Sequence, residues 1–146
     1  MSYSDDLMTF KSIFRVEELT VESGDGWTLS VRPGQLTLGA MVVSASDGEQ
    51  WFADLAPDLG AGVLARVATA ERLAKQVYGA ERVNVVALMM KDPVVHFHVL
   101  PRYSSAVERY GREWRDEDWP GPPTFGSSAT EDDVLFAVRD ELRAGI

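Results

Sequence analysis

The chain holds two histidines, His96 and His98, within Asp92-Pro93-Val94-Val95-His96-Phe97-His98-Val99-Leu100-Pro101-Arg102-Tyr103. Imidazole has the ordinary pKa nearest neutrality, so it can act as base, acid, nucleophile or metal ligand. Two imidazoles beside an arginine can hold and attack a phosphate. In that reading His96 is the nucleophile, His98 a donor to the phosphoryl or leaving oxygen, and Arg102 a charge clamp. The same pattern also fits two polar side chains on a half-buried strand, or two ligands of a metal ion. Zinc usually takes three or four protein ligands, and no third histidine and no cysteine exists here. The pairing with Pro-Arg suits phosphate better, and no metal is expected.

The elements around these residues must place them. Val94 to Leu100 is β-branched, aromatic and apolar apart from the histidines, which predicts a strand. Alternation then puts His96 and His98 on one face, about 7 Å apart by the rise per residue. Val95, Phe97 and Val99 face the other way. Pro101 cannot donate to a ladder, so the strand is expected to end there or become an edge.

Upstream, Asp5-Asp6-Leu7-Met8 with Phe10 reads as a short helix or an arm. Phe14–Glu22, Trp27–Val31 and Leu36–Val43 read as three strands of an antiparallel meander. Asp25-Gly26 fits a turn needing positive φ, and Arg32-Pro33-Gly34-Gln35 fits a type II turn. Pro57 and Asp58 open a helix whose apolar stripe is Val63, Val67, Ala70, Ala74 and Val77, with Gly79 as its stop. Arg82–Met90 reads as a strand joined tightly to the histidine strand by Lys91-Asp92-Pro93. Residues 104–125 are aromatic and Pro/Gly-rich, an ordered extension without regular structure. Thr130 caps a last helix that buries Val134, Leu135, Val138 and Leu142.

With 146 residues, 45% of them hydrophobic, the chain suits one domain with a real core. The absence of cysteine excludes disulfides and fits a reducing, cytoplasmic setting. The N-terminus lacks an apolar run, and no stretch is long enough to span a membrane. A net charge of −9 disfavours nucleic acid as a partner, because that binding rests on a basic surface. A small phosphate ligand feels only the charges near its pocket and stays compatible.

The run His96-Phe97-His98-Val99-Leu100-Pro101-Arg102 resembles the signature of the histidine triad (HIT) nucleotide hydrolases and transferases. That signature alternates three histidines with apolar residues and is often followed by Pro-Arg. Val94 stands where the first histidine would be. The resemblance covers about residues 14–110, including Trp27–Gly39 and Asn84–Met90. It implies an α+β HIT-like domain over 1–110, with 111–146 a C-terminal extension of the same domain. The expected architecture is a mostly antiparallel sheet of about five strands, one long helix and a C-terminal helix.

The resemblance makes His96 the nucleophile toward an α-phosphate and His98 the third triad position. Arg102, Val94, Trp27 and Gln35 are the substrate-binding residues it implies, although Trp27, as an apolar strand residue, fits plain core at least as well. In the family the carbonyl at the first triad position pins the nucleophile's other ring nitrogen, and a carbonyl survives replacement by Val94. The family's C-terminal segment often reaches the active site, which offers Trp114 or Trp119 as a substrate contact, while packing on the domain is the reading the residues themselves favour. No cofactor is implied, and a homodimer through the helix and a sheet edge is. Three departures accompany these matches. Arg32 stands at a ribose-binding asparagine, Ser44–Gly48 replaces an arginine-histidine pair, and the Gly-rich phosphate loop before the signature is missing. The Met89-Met90-Lys91-Asp92-Pro93 run instead resembles a shorter subgroup of dinucleoside polyphosphate hydrolases. The expected activity is hydrolysis of a nucleotidyl phosphoanhydride or phosphoramidate through a nucleotidyl-histidine. The alternative is a nucleotide-binding protein that has lost turnover.

Overall fold

Asp25 and Gly26 both sit at positive φ, 56° and 86°, and close a tight hairpin between β1 (Thr20–Gly24) and β2 (Trp27–Val31). This is the turn the Asp-Gly pair predicts. The structure, a computed structural model, describes residues 3–126 and 128–146. Around the hairpin stand α1 (Tyr3–Ile13), β3 (Met41–Ala45), α2 (Pro57–Tyr78), β4 (Arg82–Val86), β5 (His96–Arg102), β6 (Val107–Arg109), β7 (Arg112–Trp114) and α3 (Asp132–Ala144). The main sheet has the order β1-β2-β3-β5-β4, every pairing antiparallel, and β6-β7 form a separate hairpin. The architecture is the α+β one expected.

Register fixes which side chains share a face. Trp27 pairs with Ala45, Leu29 with Val43, and Val43 in turn with Phe97. These apolar residues lie under α2, and Trp27 Nε1 donates to the Leu59 carbonyl at 2.7 Å. α2 begins with Pro57 in its first turn, where a missing N–H costs nothing, and ends at Gly79 in the left-handed region. Its buried residues include Ala70, Leu73, Ala74 and Tyr78, and Leu73 alone contributes about 2 kcal/mol by area. α3 buries Val134, Leu135, Val138 and Leu142, as its periodicity predicts. Its N-cap is Glu131, however, because the Thr130 hydroxyl accepts the Gln35 N–H instead.

Several boundaries differ from the sequence reading. Residues 3–13 are helix, and the first strand begins only at Thr20, after turns that include Arg15 at φ 50°. The positive φ in the second connection falls at Gly39, not Gly34. A Cβ on Gly39 would also lie 2.7 Å from the Tyr78 ring, so the third strand starts beyond it at Met41. β4 stops at Val86, four residues short of the expected end, and Met89 sits at φ 44° in the loop that follows.

β5 runs through Pro101. The Arg102 carbonyl accepts the Glu81 N–H on the β4 side. The missing N–H of Pro101 therefore faces the other way, where β3 reaches only as far as Met41 opposite Val99. The extension is more regular than expected, since it contains the β6-β7 hairpin. No helix among the described residues is long and apolar enough to cross a membrane.

Candidate active site

The β5 pleat puts His96 and His98 on the face opposite α2, with Ser44 and Val42 of β3 beside them in register. The two rings meet edge to face with centroids 4.9 Å apart, closer than the backbone rise alone gives. This face is not open to water. α1 lays Phe10 5.0 Å from the His96 ring, and Phe14 lies 5.5 and 6.1 Å from the two imidazoles. Phe125 of the extension meets His98 edge-on at 5.3 Å. The histidines are only 2% and 5% exposed. They form the floor of a cleft of about 420 Å³ whose walls include Phe14, Arg32, Leu88, Lys91, Asp92 and Phe125.

Hydrogen bonds assign each ring a tautomer. His96 Nδ1 lies 2.6 Å from the Val94 carbonyl. A carbonyl only accepts, so Nδ1 carries the hydrogen and Nε2 keeps its lone pair. His98 has the opposite arrangement. Arg32 Nε donates to its Nδ1 at 3.2 Å, and guanidinium only donates, so the hydrogen sits on Nε2. Burial pushes both imidazoles below their ordinary pKa. For His98 the neighbouring His96 and the Arg32 charge push in the same direction, down to about 3. The site therefore pairs a neutral ring able to attack with a neutral ring able to donate.

The expected site residues divide between this cleft and the rest of the fold. His96, His98 and the Val94 carbonyl come together. Arg102 is on the same face but turned to another task. It donates to both oxygens of Asp116, to Asn84 Oδ1 and to the Gly121 carbonyl, and its side chain is 4% exposed. It fastens the extension to the sheet and does not line the histidine cleft. Trp27 is fully buried on the α2 face, because strand alternation sends it away from the histidines. Gln35 braces its own loop, its amide nitrogen donating to the Arg32 and Ala40 carbonyls and its oxygen accepting the Gly39 N–H. Trp114 Nε1 donates to the Arg109 carbonyl within the hairpin, and Trp119 borders a separate cleft beside Arg102.

Arg32, Phe14 and Phe125 take the places left open, and sequence reasoning did not assign them there. For Arg32 a signal existed. Trp27, Leu29 and Val31 alternate toward the core, so Thr28, Ser30 and Arg32 must share the histidine face. Nothing local marks Phe125, whose position depends on the path of the extension. Among the described residues no cluster of three or more His, Cys, Asp or Glu could hold a metal ion.

No protein-family model and no curated protein matches the chain. Solved structures do. A Hit-like protein involved in cell-cycle regulation from Bartonella henselae aligns over 94% of this chain and 95% of its own, with TM-score 0.70 at 17% identity. The fold is that of the histidine triad (HIT) proteins. A histidine triad protein from Sinorhizobium meliloti gives TM-score 0.71 at 15% identity over 90% and 93% of the two chains. A hypothetical histidine triad nucleotide-binding protein from Sulfolobus tokodaii gives 0.68 at 15% identity over 93% and 89%. At such identities the shared property is the HIT fold itself, and the chemistry has to be argued from the residues of this chain.

Proposed function

We propose that the chain is a nucleotide-binding hydrolase that cleaves a nucleotidyl phosphoanhydride, as in a dinucleoside polyphosphate, or a phosphoramidate. The observation that carries this reading is the bond from His96 Nδ1 to the Val94 carbonyl at 2.6 Å. It pins the ring, directs the lone pair to Nε2, and stabilises the positive charge the ring gains on attack. Nε2 forms a bond to the α-phosphorus while the bond from phosphorus to the leaving oxygen breaks and the leaving phosphate departs as an anion; a leaving nitrogen takes up a proton from solvent as its bond breaks. The His98 Nε2–H donates to a phosphoryl oxygen, and the Arg32 charge beside it lowers the cost of the transition state. Water then forms a bond to phosphorus and loses a proton to solvent, the P–N bond to His96 breaks, and a nucleoside monophosphate leaves with the neutral imidazole restored. Asp116 occupies Arg102, so the arginine charge nearest the histidines is that of Arg32, held against His98 Nδ1.

The test is product release from diadenosine tetraphosphate, with His96→Ala alongside. AMP from the parent and none from the variant supports the assignment. The second reading is a nucleotide-binding protein without turnover, and the pairing of Arg102 with Asp116 favours it. Binding of the nucleotide with no product from the parent would establish that reading instead. A homodimer through the long helix and a sheet edge belongs to the same proposal and rests on the likeness to HIT proteins.

A further inference from the structure

Arg32 leaves β2 with its backbone N–H bonded to the Ala40 carbonyl, and its Nη1 donates to the Gly34 carbonyl at 2.6 Å. The Gln35 amide holds the loop carbonyls on either side. The guanidinium is thus built into the cleft wall with Nε on His98 Nδ1 at 3.2 Å. We infer that Arg32 is a positioning residue that keeps His98 a neutral Nε2–H donor and so makes the cleft selective for leaving groups that depart as anions. This inference rests on the hydrolase reading.

The chemistry follows from the proton inventory. An imidazolium can give up a proton and become neutral, whereas a neutral imidazole that gave up Nε2–H would become an anion beside Nδ1. His98 can therefore donate a hydrogen bond but cannot hand over a proton. His96 uses its Nδ1–H on Val94 and its Nε2 on phosphorus. A phosphate leaving group tolerates this, because it departs as a stable anion when the P–O bond breaks. An amine leaving from a phosphoramidate must gain a proton as the P–N bond breaks, and neither histidine supplies one. Among the described residues, the other charged groups lining the cleft are Lys91 and Asp92 on the β4–β5 connection, while Phe14, just past α1, and Phe125 of the extension bring aromatic rings.

Imidazole nitrogen-15 spectra and paired kinetics test this on the full chain. With two histidines in the chain, a His96→Ala sample assigns the spectrum. The expected parent spectrum shows His98 with a bare Nδ1 and a protonated Nε2 throughout about pH 5 to 8. Arg32→Met frees Nδ1 to take up a proton, so His98 should reach the imidazolium at higher pH than in the parent, and Arg32→Lys, which keeps charge and a donor, should restore the neutral Nε2–H form in part. The parent's preference in kcat/KM for a dinucleoside polyphosphate over an adenosine phosphoramidate should narrow about tenfold in Arg32→Met, the equivalent of one pKa unit. Lys75→Gln, at an exposed position on α2 away from the cleft, should leave that ratio unchanged.

A parent His98 protonated on Nδ1 would overturn the inference without any variant needing to fold. So would an unchanged substrate ratio in a folded variant whose His98 has become an imidazolium at the assay pH. Turnover of neither substrate would remove the hydrolase reading and the selectivity drawn from it. The imidazole spectrum would then still decide whether Arg32 holds His98.

Discussion

In the proposed mechanism His96 attacks only while its Nε2 is unprotonated, and burial beneath Phe10, Phe14 and Phe125 lowers the pKa of both imidazoles, whose rings lie 4.9 Å apart. The consequence for activity is a shifted acid limb. His96 is held below its ordinary pKa, so turnover should stay level as pH falls from about 8 to 6.5, the usual imidazole value. It should decline only in more acid solution, where Nε2 takes up a proton. A rate that halves near neutrality would contradict this. The same burial has a stability consequence. Unfolded His98 protonates near pH 6.5, whereas folded His98 stays neutral down to about 3. Below pH 6.5 the unfolded chain binds the extra proton, so this contribution to stability falls as pH drops and is spent below about 3. Between pH 7 and 4.5 the loss is about 2 to 3 kcal/mol at 1.4 kcal/mol per unit. Urea midpoints at the two pH values should show a smaller drop for His98→Asn than for the parent.

Elements carry the site through register and through one buried ion pair. Arg102 and Asp116 are 4% and 2% exposed, and the pair joins β5 to the extension. Burial alone would raise the Asp116 pKa, but the hydrogen bonds from Arg102 hold it below the ordinary carboxylate value. Asp116→Ala strands a buried guanidinium and should cost about 3 to 5 kcal/mol. It should also speed proteolysis between residues 115 and 126, which intact protein would resist. An unaltered melting curve and digest would show that the extension is held elsewhere.

The sequence made some of this legible and hid the rest, for physical reasons. Alternation in Trp27–Val31 and His96–Val99 and the stripes of α2 and α3 are periodic signals, so those elements could be read directly. The boundaries at Thr20, Met41 and Val86 are set by single residues at positive φ or by tertiary contacts, which periodicity does not report. The role of Arg102 is not legible locally, because its partner Asp116 lies 14 residues further along the chain. Arg32 is legible, because the alternation of Trp27–Val31 already locates it on the histidine face.

At the scale of the whole molecule, β4 is an edge of the five-stranded sheet, and its backbone is available for pairing. Val85 on that edge is 44% exposed, and Leu88 and Met90 on the following loop are 49% and 86% exposed. Apolar residues along an unpaired edge suit a second copy of the chain better than water, and the loop bearing them also lines the histidine cleft. Pairing of copies along this edge would hold the 87–95 connection in place, so association and activity should fall together. Sedimentation of the parent should give twice the 16.1 kDa of one chain. Val85→Glu places a carboxylate on the edge, and like charges meeting across a two-fold axis repel, so this variant should sediment as a monomer with unchanged far-UV dichroism. If the parent is itself a monomer at about micromolar concentration, the edge is closed by neither copy and the dimer proposal fails. If the variant remains a dimer, the copies meet through the long helix or another surface, and β4 loses its role in assembly.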